Sequence, residues 1–318
     1  MERAELLANI RETLTSAGFC VSDLCSIRPI GFDLVARRDN SLLIIKVLTN
    51  IDALSEDVAK EIKVLSTVLK GSPLLIGERS GADFLEDEVV YDRFGIQAIT
   101  PTTLRSHLLD GIPVEAYAAP GGLYVNLDQE KIKKLREEQN ISLGSFARHI
   151  RVSRRTASMY EEGMSARIEV AARIEELLGE KITKSFDILK APFTEKKEAV
   201  SFRGERDRLR EFQKEIFSLL ENVGYSIIPM ERCPFDALSK NKEKILLTCV
   251  HRYDKKLVKK AEIVGNISRV TERYAVVFTD KDVNKKNIAG TPLIVKRELK
   301  KVREPEEILE LIIERIQD

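Results

Sequence analysis

Arginine is the only formally charged residue type in one stretch of this 318-residue sequence, between Ile141 and Tyr160. The arginines of this stretch are Arg148, Arg151, Arg154 and Arg155. The charges of the whole chain sum to +1, so total charge gives no argument for nucleic-acid binding. A local group of guanidinium side chains without carboxylates can nevertheless neutralise phosphates and donate hydrogen bonds to base edges. The stretch therefore favours a DNA-binding surface.

Four short helices are predicted to position these arginines, because apolar side chains recur there at helical spacing. They are expected at residues 128–138, 143–150, 154–162 and 167–178. Asp128, Ser142 and Ser153 are the predicted N-caps of the first three, and Gly163 ends the third with a backbone suited to a helix C-terminus. The side chains predicted to face inward are Ile132, Leu135, Phe146, Ala147, Ala157, Tyr160, Val170, Ile174 and Leu177.

This segment resembles the helix-turn-helix of the lambda-repressor and Cro type, also called the XRE family. The resemblance is carried by Ala147 in the second helix, by Val152-Ser153 before the third helix, and by the residues from Tyr160 to Gly163 that close it. It implies that the third helix enters the major groove of double-stranded DNA. The helical pattern alone leaves one alternative open, a four-helix bundle with a solvated, arginine-rich face.

Two positions depart from the usual pattern of that family. Leu143 stands where Gln is common near the start of the second helix, which removes a frequent phosphate contact. Arg151 replaces the usual turn glycine. We therefore expect either an unfavourable backbone angle at Arg151 or a shifted turn.

The resemblance and the charges together indicate which residues contact DNA. Arg154 and Arg155 are predicted to reach base edges, where an arginine can bind O6 and N7 of guanine, whereas Arg148 lies nearer the DNA backbone. Met159 can touch a thymine methyl group. The full predicted set is Ser142, Arg148, Arg151, Ser153, Arg154, Arg155, Thr156, Ser158 and Met159.

The two ends of the chain repeat one order of elements: an amphipathic helix, a Phe-Asp pair, an apolar strand, a second helix and a second strand. Phe32-Asp33 and Phe235-Asp236 mark the two copies. The sequence therefore predicts two nuclease-like α/β flanking domains, at residues 1–118 and 200–318, and a central all-α helix-turn-helix domain at 124–182. Residues 116–122 and 183–203 are predicted linkers, and the second contains three apolar residues that can pack against a folded part of the chain, Phe186, Ile188 and Leu189.

The flanking order resembles the core of restriction-endonuclease-like nucleases, which implies two acids that hold a divalent metal beside a lysine. Asp33 and Lys46 match the first acid and the lysine, but Ile44 occupies the place of the second acid. The corresponding residues of the second copy are Asp236, Leu247 and Cys249. Because chemistry must be argued from the site and not from the fold, we expect no catalytic residue, no bound metal and no enzyme.

The acids of both copies are expected to have structural roles. Asp33 and Asp236 can bond a turn or a strand end. Lys46 either pairs with Asp33 or extends from the sheet edge to solvent. The basic stretch from His251 to Lys260 is expected to be a solvated helix face, because runs of charge usually are.

Other classes of protein are disfavoured by what the sequence lacks. Its four cysteines form no C-x-x-C pair and its three histidines are scattered, so no zinc site or disulfide scaffold is predicted. The first residues show no signal-peptide pattern, and the longest apolar run is interrupted by Lys46. We therefore expect no membrane association, a cytoplasmic protein and reduced thiols.

The order of the three predicted domains resembles a group of archaeal HTH-type transcriptional regulators. The resemblance implies sequence-specific binding to double-stranded DNA without a cofactor, and because such repressors bind as dimers, a homodimer. One alternative is a nuclease that the helix-turn-helix directs to DNA. A second is an assembly scaffold that no longer binds DNA. No small-molecule effector can be inferred.

Overall fold

The computed structural model describes residues 2–25, 31–190, 210–242, 244–281 and 285–317. Its helices are α1 Arg3–Ser16, α2 Glu56–Leu69, α3 Pro101–Leu109, α4 Gln129–Glu138, α5 Leu143–His149, α6 Arg154–Glu161, α7 Ile168–Leu178, α8 Glu211–Asn222, α9 Lys255–Thr271, α10 Lys296–Leu299 and α11 Pro305–Gln317, with a 3-10 turn at Ile51–Ala53. Within these described ranges, none of the helices has both the length and the apolar character that a membrane crossing requires.

The strands are short and lie in both halves of the chain. They are β1 Cys20–Val21, β2 Leu34–Arg38, β3 Ser41–Val47, β4 Ser72–Ile76, β5 Arg79–Ser80, β6 Asp83–Phe84, β7 Val89–Arg93, β8 Ile96–Ile99, β9 Ala116–Ala119, β10 Gly122–Leu127, β11 Ala166–Arg167, β12 Thr183–Lys184, β13 Ser226–Pro229, β14 Ala237–Asn241, β15 Lys244–Val250, β16 Tyr274–Thr279, β17 Asn287–Ile288 and β18 Thr291–Val295. Apolar side chains fill most positions of β3, β15, β16 and β18, as expected for strands that are covered on both faces.

Two compact units divide the chain. The first consists of Met1–Ala17, Val47–Leu54 and Leu74–Ala191, and the second of Gly18–Lys46, Ser55–Pro73 and Pro192–Asp318. This division does not follow the predicted domain bounds, because the first 118 residues contribute to both units. The bounds 1–118, 124–182 and 200–318 stay a prediction.

A chain of strand pairings runs through the first unit. β4 pairs with β8 in parallel, and β7 pairs antiparallel with β8 and parallel with β9. β9 and β10 form an antiparallel hairpin, and β10 also pairs with β11 and β12. Side chains from β10 and from α4 to α7 fill one apolar core. The helices of the middle segment are thus attached to a sheet and are not a separate bundle.

The second unit contains two sets of antiparallel strands. β1, β2 and β3 follow one another in an antiparallel ladder, and so do β13, β14 and β15. β16 then joins β15 in parallel, and β18 joins β16 in parallel. α8 and α11 cover this sheet with buried residues that include Ile216, Leu220, Ile308 and Ile312.

The predicted repeat in the order of elements is present. Each Phe-Asp pair comes directly before the middle strand of an antiparallel ladder. The backbone N–H of Asp33 donates to the Ile45 carbonyl and that of Asp236 donates to the Thr248 carbonyl, each at 2.8 Å. These equivalent hydrogen bonds place β3 and β15 in the same register relative to the two acids.

Two expectations about the middle of the chain were wrong, the first linker and the all-α character of the helix-turn-helix domain. Residues 116–122, a predicted linker, form the β9–β10 hairpin, and the middle segment therefore contains strands as well as helices. The hairpin is ordered by aromatic contacts, since the ring centroids of Tyr117 and Tyr124 lie 5.9 Å apart and Phe186 meets Tyr117 edge-on at 5.6 Å. The second predicted linker starts within β12, and Ile188 is buried; residues 191–203 of it lie outside the described residues.

Candidate nucleic-acid interface

The middle segment folds into the four helices that the sequence predicts, and three of them begin at the predicted N-caps. The side chains of Asp128, Ser142 and Ser153 each accept a hydrogen bond from the backbone N–H three residues later, at 3.2, 3.1 and 3.0 Å. These bonds satisfy N–H groups that have no partner within a helix. The starts of α5 and α6, which carry most of the candidate residues, are therefore fixed by local chemistry.

The inner faces of these helices share one core. Phe146 and Ala157 are fully buried, and Tyr160 is 5% exposed. Leu143, which replaces the Gln common in the XRE family, is half buried and contacts this core. Its role in the structure is thus apolar packing at the start of α5.

The turn between α5 and α6 keeps its geometry although it lacks glycine. Arg151 has φ +59°, in the left-handed region that normally favours glycine. The N–H of Arg151 donates to the Arg148 carbonyl at 3.3 Å, and the N–H of Val152 donates to the Ala147 carbonyl at 3.0 Å. Of the two expectations for Arg151, the unfavourable backbone angle is confirmed, and the residue gains an exposed guanidinium at the turn.

Four exposed guanidinium groups surround the start of α6. Arg148, Arg151, Arg154 and Arg155 are all exposed. None of them forms an ion pair with any residue that the structure describes. The N-terminus of α6 adds the partial positive charge of its free N–H groups. This surface, which we call the arginine surface, is therefore electropositive and open to solvent.

The other candidates lie on the same elements but differ in their exposure and in the hydrogen bonds that their side chains make within the protein. Ser153 and Thr156 share a hydrogen bond of 2.8 Å between their hydroxyl oxygens. Ser158 donates its hydroxyl to the Glu162 carboxylate at 2.9 Å and is half buried. The Met159 side chain is 38% exposed. All nine predicted residues are thus brought together on α5, α6 and the turn, and their contacts with DNA stay a prediction.

One ion pair that positions α6 was missed in the sequence. Arg136 on α4 and Glu161 at the end of α6 are joined through two pairs of atoms, one of them Nη2 to Oε2 at 3.1 Å. Arg136 also donates to the Ile141 carbonyl at 2.9 Å, and the hydrogen bond to Glu161 raises the pKa of its guanidinium. A signal was available, because Arg136 lies four residues after Ile132 and therefore on the inner face of α4.

We expect Arg136→Leu to lower the free energy of unfolding by about 1–3 kcal/mol, because it leaves the Glu161 carboxylate without its partner in a site where both side chains are only 11–12% exposed. Chemical unfolding followed by circular dichroism measures this loss. Arg136→Lys should lower the free energy of unfolding by less, because the positive charge remains although the bidentate contact is lost. Lys133→Leu, on the exposed side of α4, is the control; an equal loss in it would contradict a specific role for Arg136.

Asp33, the acid of the first copy, is buried beside a lysine. The Nζ atom of Lys46 lies 3.6 Å from Oδ2 of Asp33, and the two side chains are 11% and 3% exposed. Of the two expectations for Lys46, pairing with Asp33 is confirmed. Ile44, two residues earlier and so on the same face of β3, is fully buried.

Asp236, the acid of the second copy, has three hydrogen-bond donors around its carboxylate. The carboxylate of Asp236 accepts from Gln213 Nε2 at 3.0 Å, from the backbone N–H of Val250 at 2.7 Å and from Lys260 Nζ at 2.6 Å. The bond to Val250 holds the end of β15, as predicted. The expectation of a solvated face was wrong for Lys260, because this side chain turns inward to Asp236. Burial alone would lower the pKa of Lys260, but Asp236 and Cys249 outweigh it and the pKa is raised.

Neither copy fits the divalent metal that the nuclease fold implies. The carboxylates of Asp33 and Asp236 are each neutralised by an ammonium group. The neighbouring positions hold Ile44, Leu247 and Cys249, all fully buried, and burial raises the pKa of the Cys249 thiol to about 12. Throughout the described part of the chain, no group of three or more His, Cys, Asp or Glu side chains could hold a metal ion.

Two known families match parts of the chain. The family described as PD-(D/E)XK superfamily domain matches residues 3–114, and the family described as Helix-turn-helix matches residues 132–184. The second match covers α5, the turn and α6, which confirms the resemblance to the XRE type. No solved structure matches the chain.

Relatives in archaea match almost from end to end. The chain is 38% identical over 99% of its length to a protein of Methanosarcina barkeri, 37% identical over 99% to one of Methanosarcina acetivorans, and 37% identical over 98% to one of Archaeoglobus fulgidus, and each alignment covers 98% of the relative. All three carry the name "Putative HTH-type transcriptional regulatory protein". The chain belongs to this family of archaeal HTH-type transcriptional regulatory proteins, with a PD-(D/E)XK superfamily domain before its helix-turn-helix.

Proposed function

We propose that this protein binds double-stranded DNA sequence-specifically through α6 and regulates transcription by occupying an operator. The observation that carries the proposal is the arginine surface, four exposed guanidinium groups around the start of α6 that have no carboxylate partner in the described part of the chain. A helix of this type fits the major groove, where its first turn meets base edges. The names of the archaeal relatives agree with this function.

The candidates divide into two roles. Arg154 and Arg155, in the first turn of α6, read bases. Arg148 and Arg151, on α5 and the turn, neutralise backbone phosphates, which fixes the position of the helix but carries no sequence information. The capping hydroxyls of Ser142 and Ser153 accept hydrogen bonds from backbone N–H groups, and each hydroxyl can still donate its proton to a phosphate. Thr156, Ser158 and Met159 complete the surface toward the bases.

A homodimer is part of the proposal. Two copies of α6 related by a two-fold axis meet two half-sites about one DNA turn apart. The flanking domains, predicted at 1–118 and 200–318, offer the surface for that contact, because the helix-turn-helix is small. A protein that acts on chromosomal DNA in this way works in the cytoplasm, and the proposal requires neither a cofactor nor an effector.

Selection of bound duplexes from a random pool tests the function. The expected result is enrichment of one motif, built from two inverted half-sites if the protein binds as a homodimer. Affinity for that motif should fall with salt, because each phosphate that is neutralised contributes about 0.9 to the slope of log K against log salt concentration. Recovery of a random pool, with no salt-dependent binding to any duplex, would overturn the proposal and favour the assembly scaffold.

We also propose that the nuclease-like domains do not cut DNA. With Mg²⁺ or Mn²⁺ present, purified protein should leave supercoiled and linear duplexes intact, because Ile44 and Leu247 offer no ligand and both acids are paired with lysines. Gel analysis after long incubation measures this. Cleavage that disappears in Asp33→Ala or Asp236→Ala would show that one of these carboxylates is catalytic and would support a DNA-targeted nuclease instead.

A further inference from the structure

At the tip of the β9–β10 hairpin, a guanidinium group and a hydroxyl group lie together beside the backbone of two glycines. Gly121 and Gly122, at the turn, have φ +96° and +138°. A Cβ atom added to Gly121 would lie 3.2 Å from Nη2 of Arg167 and 3.3 Å from Oη of Tyr124. The absence of a side chain at Gly121 therefore keeps open a small space that both polar groups border.

Strand pairing places these groups on one face of the sheet. Tyr124 on β10 lies directly opposite Arg167 on β11 and directly opposite Tyr117 on β9. Side chains of directly opposed residues project from the same face. Tyr124 donates a long hydrogen bond of 3.4 Å to the Pro120 carbonyl, so its hydroxyl is held at the tip but can turn to a stronger acceptor.

The charge at this tip has no neutralising partner among the residues that the structure describes. Arg167 is exposed, and no ion pair joins it to any residue in the described ranges. Pro120, Gly121 and Gly122 are exposed as well. An uncompensated guanidinium, a hydroxyl donor and accessible glycine backbone are the groups with which proteins hold phosphate oxygens.

The hairpin tip is also close to α6. β11 follows α6 after only four residues. Ala166, the residue before Arg167, is buried in the same apolar core as Tyr160 of α6. Eight helical residues span about 12 Å, and the connection to Arg167 adds at most about 21 Å even if fully extended. Both surfaces thus lie within about one DNA turn, roughly 34 Å.

We propose that Gly121, Tyr124 and Arg167 form a phosphate-binding site that contacts the backbone of the same duplex that α6 reads. The ligand is a phosphodiester group, bound by the Arg167 guanidinium and the Tyr124 hydroxyl. This contact rests on the proposed DNA-binding function and extends it, because it adds a backbone contact outside the helix-turn-helix. It contributes affinity and orientation but no sequence preference.

Arg167→Ala tests the site on the selected duplex. Loss of one phosphate contact should reduce the slope of log K against log salt concentration by about 0.9, which weakens binding about eightfold at 0.1 M salt. The ratio of affinities for the selected and a scrambled duplex should not change. Arg167→Lys should restore the slope, because an ammonium neutralises a phosphate as well, and Tyr124→Phe should weaken binding less than Arg167→Ala does. Arg105→Ala, an exposed arginine on α3 without a described ion pair, is the matched control.

The outcomes separate this site from the proposed function. If the parent protein binds no duplex, the proposed function fails and the site fails with it. If the parent binds and Arg167→Ala keeps the parental slope, or changes the preferred sequence, only the hairpin-tip site is overturned. Inorganic phosphate, titrated at constant ionic strength, should not bind at millimolar concentration; binding that requires Arg167 and leaves the affinity for the duplex unchanged would assign the site to free phosphate and overturn the duplex contact.

Discussion

Arg154→Ala and Arg155→Ala are each expected to weaken binding to the selected duplex by about 1–3 kcal/mol and to relax the preference at one base pair. Both side chains lie in the first turn of α6, are exposed and have no ion pair with a described residue. No residue in the described ranges competes for their hydrogen bonds, so their donor groups are available to guanine. Arg148→Ala, on α5, should instead weaken binding to all duplexes alike and reduce the slope of log K against log salt concentration by about 0.9.

Titrations of each variant on selected and scrambled duplexes, at two salt concentrations, measure both effects. Circular dichroism controls for the fold, which should not change because none of the three side chains belongs to the core. If Arg154→Ala and Arg155→Ala both bound the selected duplex as tightly and as selectively as the parent, α6 would not be the element that reads sequence. If Arg148→Ala changed the preferred sequence, its assignment to the DNA backbone would be wrong.

The second large effect concerns the ion pair of Asp236 and Lys260. Lys260→Met should lower the free energy of unfolding by about 3 kcal/mol, because it leaves the Asp236 carboxylate charged in a site where both side chains are at most 16% exposed. Lys259→Met, the exposed neighbour on the same helix, is the matched control and should change stability by about 0.5 kcal/mol or less. Equal unfolding curves for the two variants would contradict the role of Lys260.

The pH dependence of this effect has a defined sign. Because the pKa of Lys260 is raised above its ordinary value of 10.5, the contribution that the pair makes at neutral pH is kept up to about that pH and is lost as pH rises through the higher value. The difference between the parent and Lys260→Met should therefore be constant from neutral pH to about pH 10 and shrink above it. The double variant Asp236→Asn with Lys260→Met leaves no charge unpaired. Its loss in free energy of unfolding should therefore be smaller than the sum of the losses in the two single variants.

The helix-turn-helix could be predicted from the sequence because its determinants are local. An N-cap and the N–H that it bonds are three residues apart, so Ser142 and Ser153 mark helix starts without any tertiary information. The apolar spacing that predicts Phe146 and Ala157 as inward-facing depends only on helical geometry. The resemblance to the XRE type left two possibilities for Arg151, an unfavourable backbone angle or a shifted turn, and φ +59° agrees with the first.

The features that escaped prediction depend on partners far away in the sequence. Residues 116–122 have no alternating apolar pattern and contain Pro-Gly-Gly, so a linker was the better local interpretation. The hairpin forms because Tyr117 contacts Phe186 and because β11 supplies a third strand, and neither partner is a neighbour in the chain. Lys260 likewise turns inward only because Asp236, 24 residues earlier, lies beneath it.

The pairing of β10 with three strands limits how the protein can adapt to its operator. β10 is hydrogen-bonded to β9, β11 and β12, and the core of α4 to α7 rests on its side chains, so α6 cannot swing on a flexible tether. One extra base pair between two half-sites turns one against the other by about 34° and moves it by about 3.4 Å. In a homodimer, helices mounted on sheets cannot follow that rotation by themselves, so the contact between the two protomers would have to change. Tolerance for altered spacing between half-sites should therefore be narrow, even where every contacted base is kept.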